Sequence, residues 1–158
     1  MSMHYEFEHG VESVFNLLTE PQFLVDRCLA MGELEASCEV EENAGVTVVS
    51  LTRRLKRDLP RFLTKILDPE QTMHMTEKWQ PDGEGGWNGD YTFEMEGQPV
   101  CIRAKFELYP TDAGCCYSIE HQVEANIPLI GGRIEKYICG QAEQGCTDEL
   151  AYVQDQLD

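Results

Sequence analysis

The carboxyl-terminal stretch from Ile127 to Asp158 constrains the fold more than any other part of the chain. After Gly132 it contains no proline, and apolar residues recur at spacings of three and four, namely Ile134, Tyr137, Ile138, Ala142, Cys146, Leu150, Val153 and Leu157. Such a stripe predicts one amphipathic α-helix, roughly 35 to 40 Å long at about 1.5 Å per residue. A helix of that length needs an equally long apolar surface to lie on.

The preceding residues are predicted to supply this surface as a sheet. HYEFEH alternates apolar and polar residues, two short helical segments follow up to Gly32, and six more strand-like runs are separated by turns rich in Gly, Pro, Asp and Asn. Consecutive strands joined by short turns pair antiparallel. The sequence therefore predicts an α+β fold, in which a curved antiparallel sheet of about seven strands surrounds the long C-terminal helix, with two short helices after strand 1. Residues 1–158 are predicted to form a single domain.

This order of elements resembles the START and birch-pollen-allergen-like superfamily, whose fold is called the helix-grip fold. The residues that carry the resemblance are YEFEHGVESVF at 5–15, Glu77-Lys78-Trp79, and IPLIGGRIEKYI at 127–138. Within the superfamily the chain is most similar to a bacterial family known only as a domain of unknown function. The resemblance implies a cavity between sheet and helix, where relatives bind lipids, sterols, polyketides or plant hormones; a few relatives catalyse reactions there, and others only bind proteins.

Composition and charge exclude several classes of function. The net charge of −17 argues against a nucleic-acid partner, which needs clustered cations. The N-terminus has no basic start and no apolar run, and no segment approaches the roughly 18 apolar residues of a membrane span, so a cytoplasmic location is expected. Seven cysteines without a CxxC pair are interpreted as reduced thiols, and no metal or cofactor is predicted.

The alternation of the strands predicts a wide and mostly apolar interior. Leu34, Ala36, Cys38 and Val40 form one inner face, while an irregularity at Val48-Val49 indicates either a bulge or a strand buried on both faces. Aromatic residues and methionines would suit adaptable binding of an apolar ligand, although the same side chains would equally well fill a core. The predicted ligand-binding residues are Met75, Glu77, Trp79, Tyr91, Phe93, Phe106, His121, Ile134, Tyr137, Ile138 and Gln141.

Two polar residues fall on apolar strand faces. His121 shares its face with Ile119 and Val123, and Glu77 shares its face with Met75 and Trp79. A buried carboxyl group facing an imidazole is either a general acid/base pair, an anchor for the polar head of a ligand, or a structural contact. Structure or anchoring is favoured over catalysis, because one sequence does not show that the two groups meet.

A basic stretch follows the third strand. Residues 53–65 hold six of the twelve Lys and Arg residues of the chain against one anion, Asp58. Apolar residues at near-helical spacing accompany them. In the resembled fold this connection lies beside the cavity mouth, so a lid that weakly contacts anionic membranes through residues 53–67 is one interpretation. The alternative is a connection that pairs its cations with acidic strands. The residues predicted for the lid are Arg57, Arg61, Phe62, Lys65 and Ile66.

Three functions remain open at this level. The favoured hypothesis is binding or carriage of a hydrophobic small molecule, such as a lipid or a polyketide-like compound, without catalysis. The second is an enzyme of cyclase or hydrolase type that uses His121 with Glu77 or a nearby tyrosine in the same cavity. The third is a protein-interaction module, which would use an acidic outer sheet face and have a filled interior.

Overall fold

The computed structural model of the protein describes residues 2–128 and 130–158. Met1 and Leu129 lie outside the described residues. Met1 is the first residue of the predicted domain, and Leu129 belongs to the IPLIGG motif. In chain order the elements are β1 (Ser2–Phe7), α1 (Val11–Leu18), α2 (Pro21–Ala30), β2 (Glu35–Asn43), β3 (Val46–Lys56), β4 (Glu70–Pro81), β5 (Trp87–Met95), β6 (Val100–Pro110), β7 (Cys115–Ala125) and α3 (Gly131–Leu157).

The strands form one antiparallel sheet of seven, in the order β1-β7-β6-β5-β4-β3-β2. Strands β2 to β7 follow the chain as a meander, because each is joined to the next by a short turn or connection. The first strand pairs with the last one, which places α1 and α2 across one end of the sheet. The predicted α+β architecture is confirmed.

The predicted C-terminal helix is also confirmed. α3 contains 27 residues, or about 40 Å of helix. It buries Ile134, Ile138, Leu150 and Val153 from the predicted stripe. The helix packs against β7, β1 and α1. No helix within the described residues is long and apolar enough to cross a membrane.

Two details of the strands differ from the expectation. Leu34 precedes β2 and is 46% exposed, and β2 itself packs mainly against α2. The register of β3 with both neighbours is unbroken, which rules out a bulge at Val48-Val49. The irregularity arises because Thr47, a polar residue, occupies an inner position ahead of Val49 and Leu51.

That unbroken register aligns inner residues from neighbouring strands. Val49 on β3 pairs with Glu77, Glu77 pairs with Tyr91, Tyr91 pairs with Ala104, and Ala104 pairs with His121. These side chains form a row across the sheet under the helices, since residues directly opposite one another in paired strands point to the same face. The row crosses the part of the sheet where the candidate site lies.

Candidate ligand cavity

A cavity of about 130 Å³ lies between the inner face of the sheet and α3. It is smaller than the roughly 300 to 1,000 Å³ of sites for drug-sized ligands, so it suits a small or slender molecule. Its apolar wall combines aliphatic, methionine and aromatic side chains from α1, α2, the strands, the connection after β3 and α3. They include Leu18, Leu24, Leu59, Leu67, Met73, Met75, Trp79, Phe93, Met95, Ile102, Ile119, Tyr137, Ile138, Ala142 and Leu150.

Most of the predicted ligand-binding residues lie on this wall. Those are Met75, Glu77, Trp79, Tyr91, Phe93, Tyr137, Ile138 and Gln141. Phe106, Ile134 and His121 are buried but stand outside it: Phe106 packs between Trp79 and Tyr117, and Ile134 joins the apolar cluster around Met73. The wall therefore does not extend along β7 as far as His121.

The structure separates His121 from Glu77. Their strands, β7 and β4, are separated by β5 and β6, and three inter-strand spacings of about 4.8 Å put the two backbones roughly 14 Å apart. The ring of Tyr91 lies against the His121 ring, with 5.9 Å between centroids, above the small side chain of Ala104. Burial lowers the pKa of His121. His121 and Glu77 therefore do not form an acid/base pair, whereas a tyrosine, the other partner considered for His121, lies beside it as Tyr91. An enzymatic role of His121 with this tyrosine stays a prediction.

The polar part of the cavity is larger than the sequence predicted. Five charged side chains lie on the wall, two of them acidic and three basic, in an interior expected to be mostly apolar. They are Arg27 on α2, Arg53 and the following Arg57 at the end of β3, Glu77 on β4 and Glu149 on α3. The uncharged Gln71 and Tyr117 also reach the wall. A site with one polar end and one apolar end is suited to an amphipathic ligand.

Glu149 holds two of these arginines. Its carboxylate lies 3.3 Å from Arg27 Nη2 and accepts a hydrogen bond of 2.8 Å from Arg53 Nη2. Arg53 also donates from Nε to Glu33, at 2.7 Å, in a bidentate pair. Although burial alone would raise the pKa of Glu149, the charges of Arg27 and Arg53 lower it below its ordinary value. Glu149 is therefore ionised near neutral pH and joins α3 to α2 and β3 electrostatically.

Glu77 occupies a different environment. Its side chain borders the cavity but is surrounded by protein, and this burial raises its pKa from 4.5 to about 7, against the opposing charge of Arg27. No ion pair to Glu77 occurs among the described residues. A carboxyl group with a pKa near neutrality gains or loses a proton easily when the charge beside it changes.

Burial raises the pKa of four further groups at or near the cavity. The pKa of Cys146, on the cavity wall, is raised to about 12, and that of Cys38, which is not on the wall but is influenced by the charge of Glu77, is raised to about 11. Burial also raises the pKa of Tyr91 and Tyr117 well above 10. Since thiolates are the nucleophilic form of cysteine, neither thiol is activated. Within residues 2–128 and 130–158, no three His, Cys, Asp or Glu side chains group as metal ligands.

The basic stretch divides into three parts. Arg53 points into the cavity, whereas the adjacent Arg54 points outward and pairs with Glu35 and Glu70. The connection from residue 57 to residue 69 forms turns instead of the helix-like arrangement suggested by its apolar spacing. Arg54 thus pairs with acidic residues of neighbouring strands, as the second interpretation of the basic stretch predicts. Arg57, in contrast, lines the cavity.

Of the predicted lid residues, Arg57 lines the cavity, whereas the other four are not part of its wall. Arg61 and Lys65 are exposed, and Phe62 and Ile66 are half-buried. The Phe62 ring lies against Tyr137 and beneath the Arg133 guanidinium, whose central carbon is 3.7 Å from the ring centroid. These contacts hold the connection against the start of α3. A contact of this surface with anionic membranes stays a prediction.

Three residues of the site were missed, although each left a signal in the sequence. Arg53 follows Val49 and Leu51 at inner positions of β3, Arg27 follows Leu24 by three residues, and Glu149 lies three residues after Cys146 in the stripe of α3. Each is a charged residue in an apolar pattern. Because lone charged side chains are almost never fully buried, such interruptions indicate paired or functional charges.

Comparisons with known sequences place the chain in a family. The family described as "Protein of unknown function (DUF2505)" matches residues 2–157. "Uncharacterized protein Rv0481c" of Mycobacterium tuberculosis is 24% identical over 160 residues, covering 95% of this chain and 91% of the relative. "Uncharacterized protein Mb0491c" of Mycobacterium bovis matches with the same identity and coverage. The match extends over nearly the whole chain.

Solved structures share the fold at low sequence identity. TTHA0849 from Thermus thermophilus superposes with a TM-score of 0.62 at 13% identity, covering 98% of this chain and 94% of that one. The allergen Ara h 8.0201 superposes with a TM-score of 0.53 at 13% identity, covering 98% and 97%. These values confirm the predicted resemblance to the birch-pollen-allergen-like, helix-grip fold, and at such identities they speak for the fold alone.

Proposed function

The chain belongs to the DUF2505 family, and we propose that it binds a hydrophobic small molecule, such as a lipid or a polyketide-like compound, in the cavity under α3. The observation that supports this proposal most directly is the cavity itself, because its apolar wall continues from the helices down to Phe93 and Met95. Protein interiors are otherwise packed closely, and a void of this size reduces stability unless a ligand fills it.

The character of the wall also favours binding. Met73, Met75 and Met95 contribute unbranched, flexible side chains, which adapt to irregular apolar ligands. On the opposite side, Ala142 and Gly145 contribute small residues to the middle of the α3 surface, between the larger Ile138 and Leu150. A ligand thus has room between flexible residues on the sheet and small ones on the helix.

The two other hypotheses have less support. The enzyme hypothesis relied on His121 with Glu77 or a nearby tyrosine in the same cavity. Glu77 stands on a strand separated from that of His121 by two others, and His121, although it lies beside Tyr91, is not on the cavity wall. The protein-interaction hypothesis requires a filled interior, whereas the structure contains a cavity.

Native mass spectrometry of freshly purified protein, followed by organic extraction, tests the proposal. The expected result is a stoichiometric adduct that organic solvent releases as an apolar compound. The same instrument then measures uptake of octan-1-ol, an uncharged probe with a slender chain. A bare mass combined with no uptake of octan-1-ol would contradict the proposal.

A substitution that fills the cavity should abolish this binding without unfolding the protein. A Cβ atom added to Gly145 would meet nothing within 4 Å, and Gly145 lines the cavity. Gly145→Leu is therefore expected to weaken octan-1-ol binding at least tenfold, because the new side chain occupies the ligand's volume. Tryptophan fluorescence measures the binding, since Trp79 lies on the wall.

Gly140→Leu provides the matched control. Gly140 lies on the exposed side of the same helix, and a Cβ atom there also meets nothing within 4 Å. Both variants replace glycine within a helix and should stabilise it by up to about 1 kcal/mol. Equal octan-1-ol affinity in the two variants would show that the cavity is not the binding site.

A further inference from the structure

We propose that the ligand of this cavity carries a single carboxylate, which binds to Arg57 with support from Arg27. The inference rests on the proposed function and specifies the chemical class of the ligand as an amphipathic monocarboxylate. It follows from the hydrogen bonding and the charge balance of the arginines at the polar end of the cavity.

Arg57 is a half-buried cation, with a buried Nε atom, that has no counter-ion among the described residues. Within residues 2–128 and 130–158, no carboxylate lies within 4.0 Å of its guanidinium, and its buried Nε donates a hydrogen bond to none of these residues. Burial and the nearby charge of Arg53 lower its pKa. Buried cations are normally paired, because desolvation without a partner is costly. Since Arg57 lines the cavity, an anion placed there would be its partner.

Arg27 also lines the cavity and has spare hydrogen-bonding capacity. Its side chain is 6% exposed, and Nη2 lies 3.3 Å from Glu149. Its buried Nε donates to none of the described residues. A guanidinium offers five N–H donors in a planar fork that matches a carboxylate. Arg27 therefore has donors left over after pairing with Glu149.

The charge balance favours a ligand with one negative charge. Three guanidinium groups face two carboxylates that pair with them, Glu33 and Glu149. Glu77, the remaining acidic group, makes no ion pair in the described chain, and burial raises its pKa to about 7. One positive charge thus remains in excess whenever Glu77 is protonated. A monocarboxylate would balance that charge.

The apolar wall selects for a ligand with a hydrocarbon part. Met95 and Ile102 lie on strands distant from Arg27 and provide an apolar surface in the same cavity. Burial of hydrocarbon favours binding roughly in proportion to the apolar area removed from water. A small inorganic anion would gain none of this energy. An uncharged lipid would gain it but leave Arg57 unpaired.

The geometry also couples binding to the protonation of Glu77. A bound carboxylate repels ionised Glu77, so binding is expected to be accompanied by proton uptake and to weaken as pH rises through about 7. The other titratable groups around Glu77 have pKa values shifted away from this range. Burial raises the pKa of Cys38 to about 11, that of Cys146 to about 12 and those of Tyr91 and Tyr117 well above 10, while the charges of Arg27 and Arg53 lower the pKa of Glu149.

The test compares octanoate with octan-1-ol, which share one chain and differ in charge. In wild-type protein at pH 6.5, octanoate is expected to bind at least tenfold more tightly than octan-1-ol. Arg57→Gln should weaken octanoate binding at least tenfold and change octan-1-ol binding by less than twofold. Isothermal titration calorimetry measures both affinities.

Arg54→Gln is the matched control, because it removes the same charge from a nearby position on the outer face of β3. It should change octanoate affinity by less than twofold. If Arg57→Gln folds poorly, Arg57→Lys replaces it in the test. Lysine keeps the charge but lacks the planar fork of the guanidinium, so the octanoate affinity of this variant should lie between those of the wild type and Arg57→Gln. Glu77→Gln should remove the dependence of octanoate affinity on pH between 6.5 and 8.5.

The outcomes separate this inference from the proposed function. Equal binding of octanoate and octan-1-ol, unchanged in Arg57→Gln, would overturn the carboxylate and leave the cavity as a binding site for neutral lipids. Equal losses of octanoate affinity in Arg57→Gln and Arg54→Gln would show that the affinity depends only on the total charge of the protein, and would overturn the role of Arg57. Absence of binding by both probes, with a bare native mass, would overturn the proposed function itself.

Discussion

Replacement of Glu149 by Gln is expected to lower the free energy of unfolding by about 3 kcal/mol or more. Glu149 pairs with Arg27 and Arg53 inside the protein, where 18% of its side chain is exposed. The glutamine side chain would still fill the space, but three buried guanidinium groups would then face the single paired carboxylate of Glu33. Breaking a buried ion pair from one side leaves an uncompensated charge, which costs more than the pair itself contributes.

Asp148→Asn provides the control for this prediction. Asp148 lies on the exposed side of α3, where it accepts a hydrogen bond of 3.0 Å from Gln144. In a chain with a net charge of −17, removal of one negative charge should slightly relieve repulsion. Asp148→Asn should therefore change stability by less than about 0.5 kcal/mol. Urea unfolding at pH 7.5 measures both variants, and equal stabilities would contradict the role given to Glu149.

Replacement of Glu77 by Gln is expected to stabilise the ligand-free protein at high pH and to have little effect at low pH. Burial raises the pKa of Glu77 from 4.5 to about 7 in the folded state. The stability that its protonation provides is complete below pH 4.5 and is lost as pH rises through 7. Glu77→Gln keeps a neutral side chain at every pH. At pH 8.5 the variant should therefore exceed the wild type by about 2 to 3 kcal/mol.

Unfolding free energies measured from pH 4.5 to pH 8.5 test this expectation. The difference between the variant and the wild type should grow between pH 5 and pH 7.5 and then level off. Glu107→Gln, which removes an exposed carboxylate from the outer face of β6, serves as control and should show no such growth. A wild-type protein that is more stable than Glu77→Gln at pH 8.5 would indicate that ionised Glu77 is well paired in the cavity.

These two predictions assign opposite effects to two carboxyl groups in the same cavity. Glu149 lies between two arginines that hold it ionised, and its loss exposes their charge. Glu77 lies where burial dominates over the more distant charge of Arg27. The difference depends on distances of a few ångströms between side chains that come from separate elements.

Local sequence patterns were sufficient to predict the fold and most of the apolar wall. The spacing of the α3 stripe, the alternation of the strands and the turn residues between them are local patterns, and each specifies a helix or strand without reference to the rest of the chain. The same alternation placed Met75, Trp79, Tyr91 and Phe93 together on strand faces, and in the structure these four residues line the cavity.

The polar end of the cavity, by contrast, depends on contacts between elements that are far apart in the chain. Arg27, Arg53 and Glu149 lie 26 and 96 positions apart along the chain, and the sequence shows each only as a charged residue in an apolar pattern. Their pairing depends on how α2 and α3 cross the sheet, which no local pattern specifies. The same reason explains why His121 and Glu77 are far apart, although both are polar residues on apolar strand faces. The alternation along a strand determines which face of the sheet a residue lies on, but the order of the strands determines which residues are its neighbours.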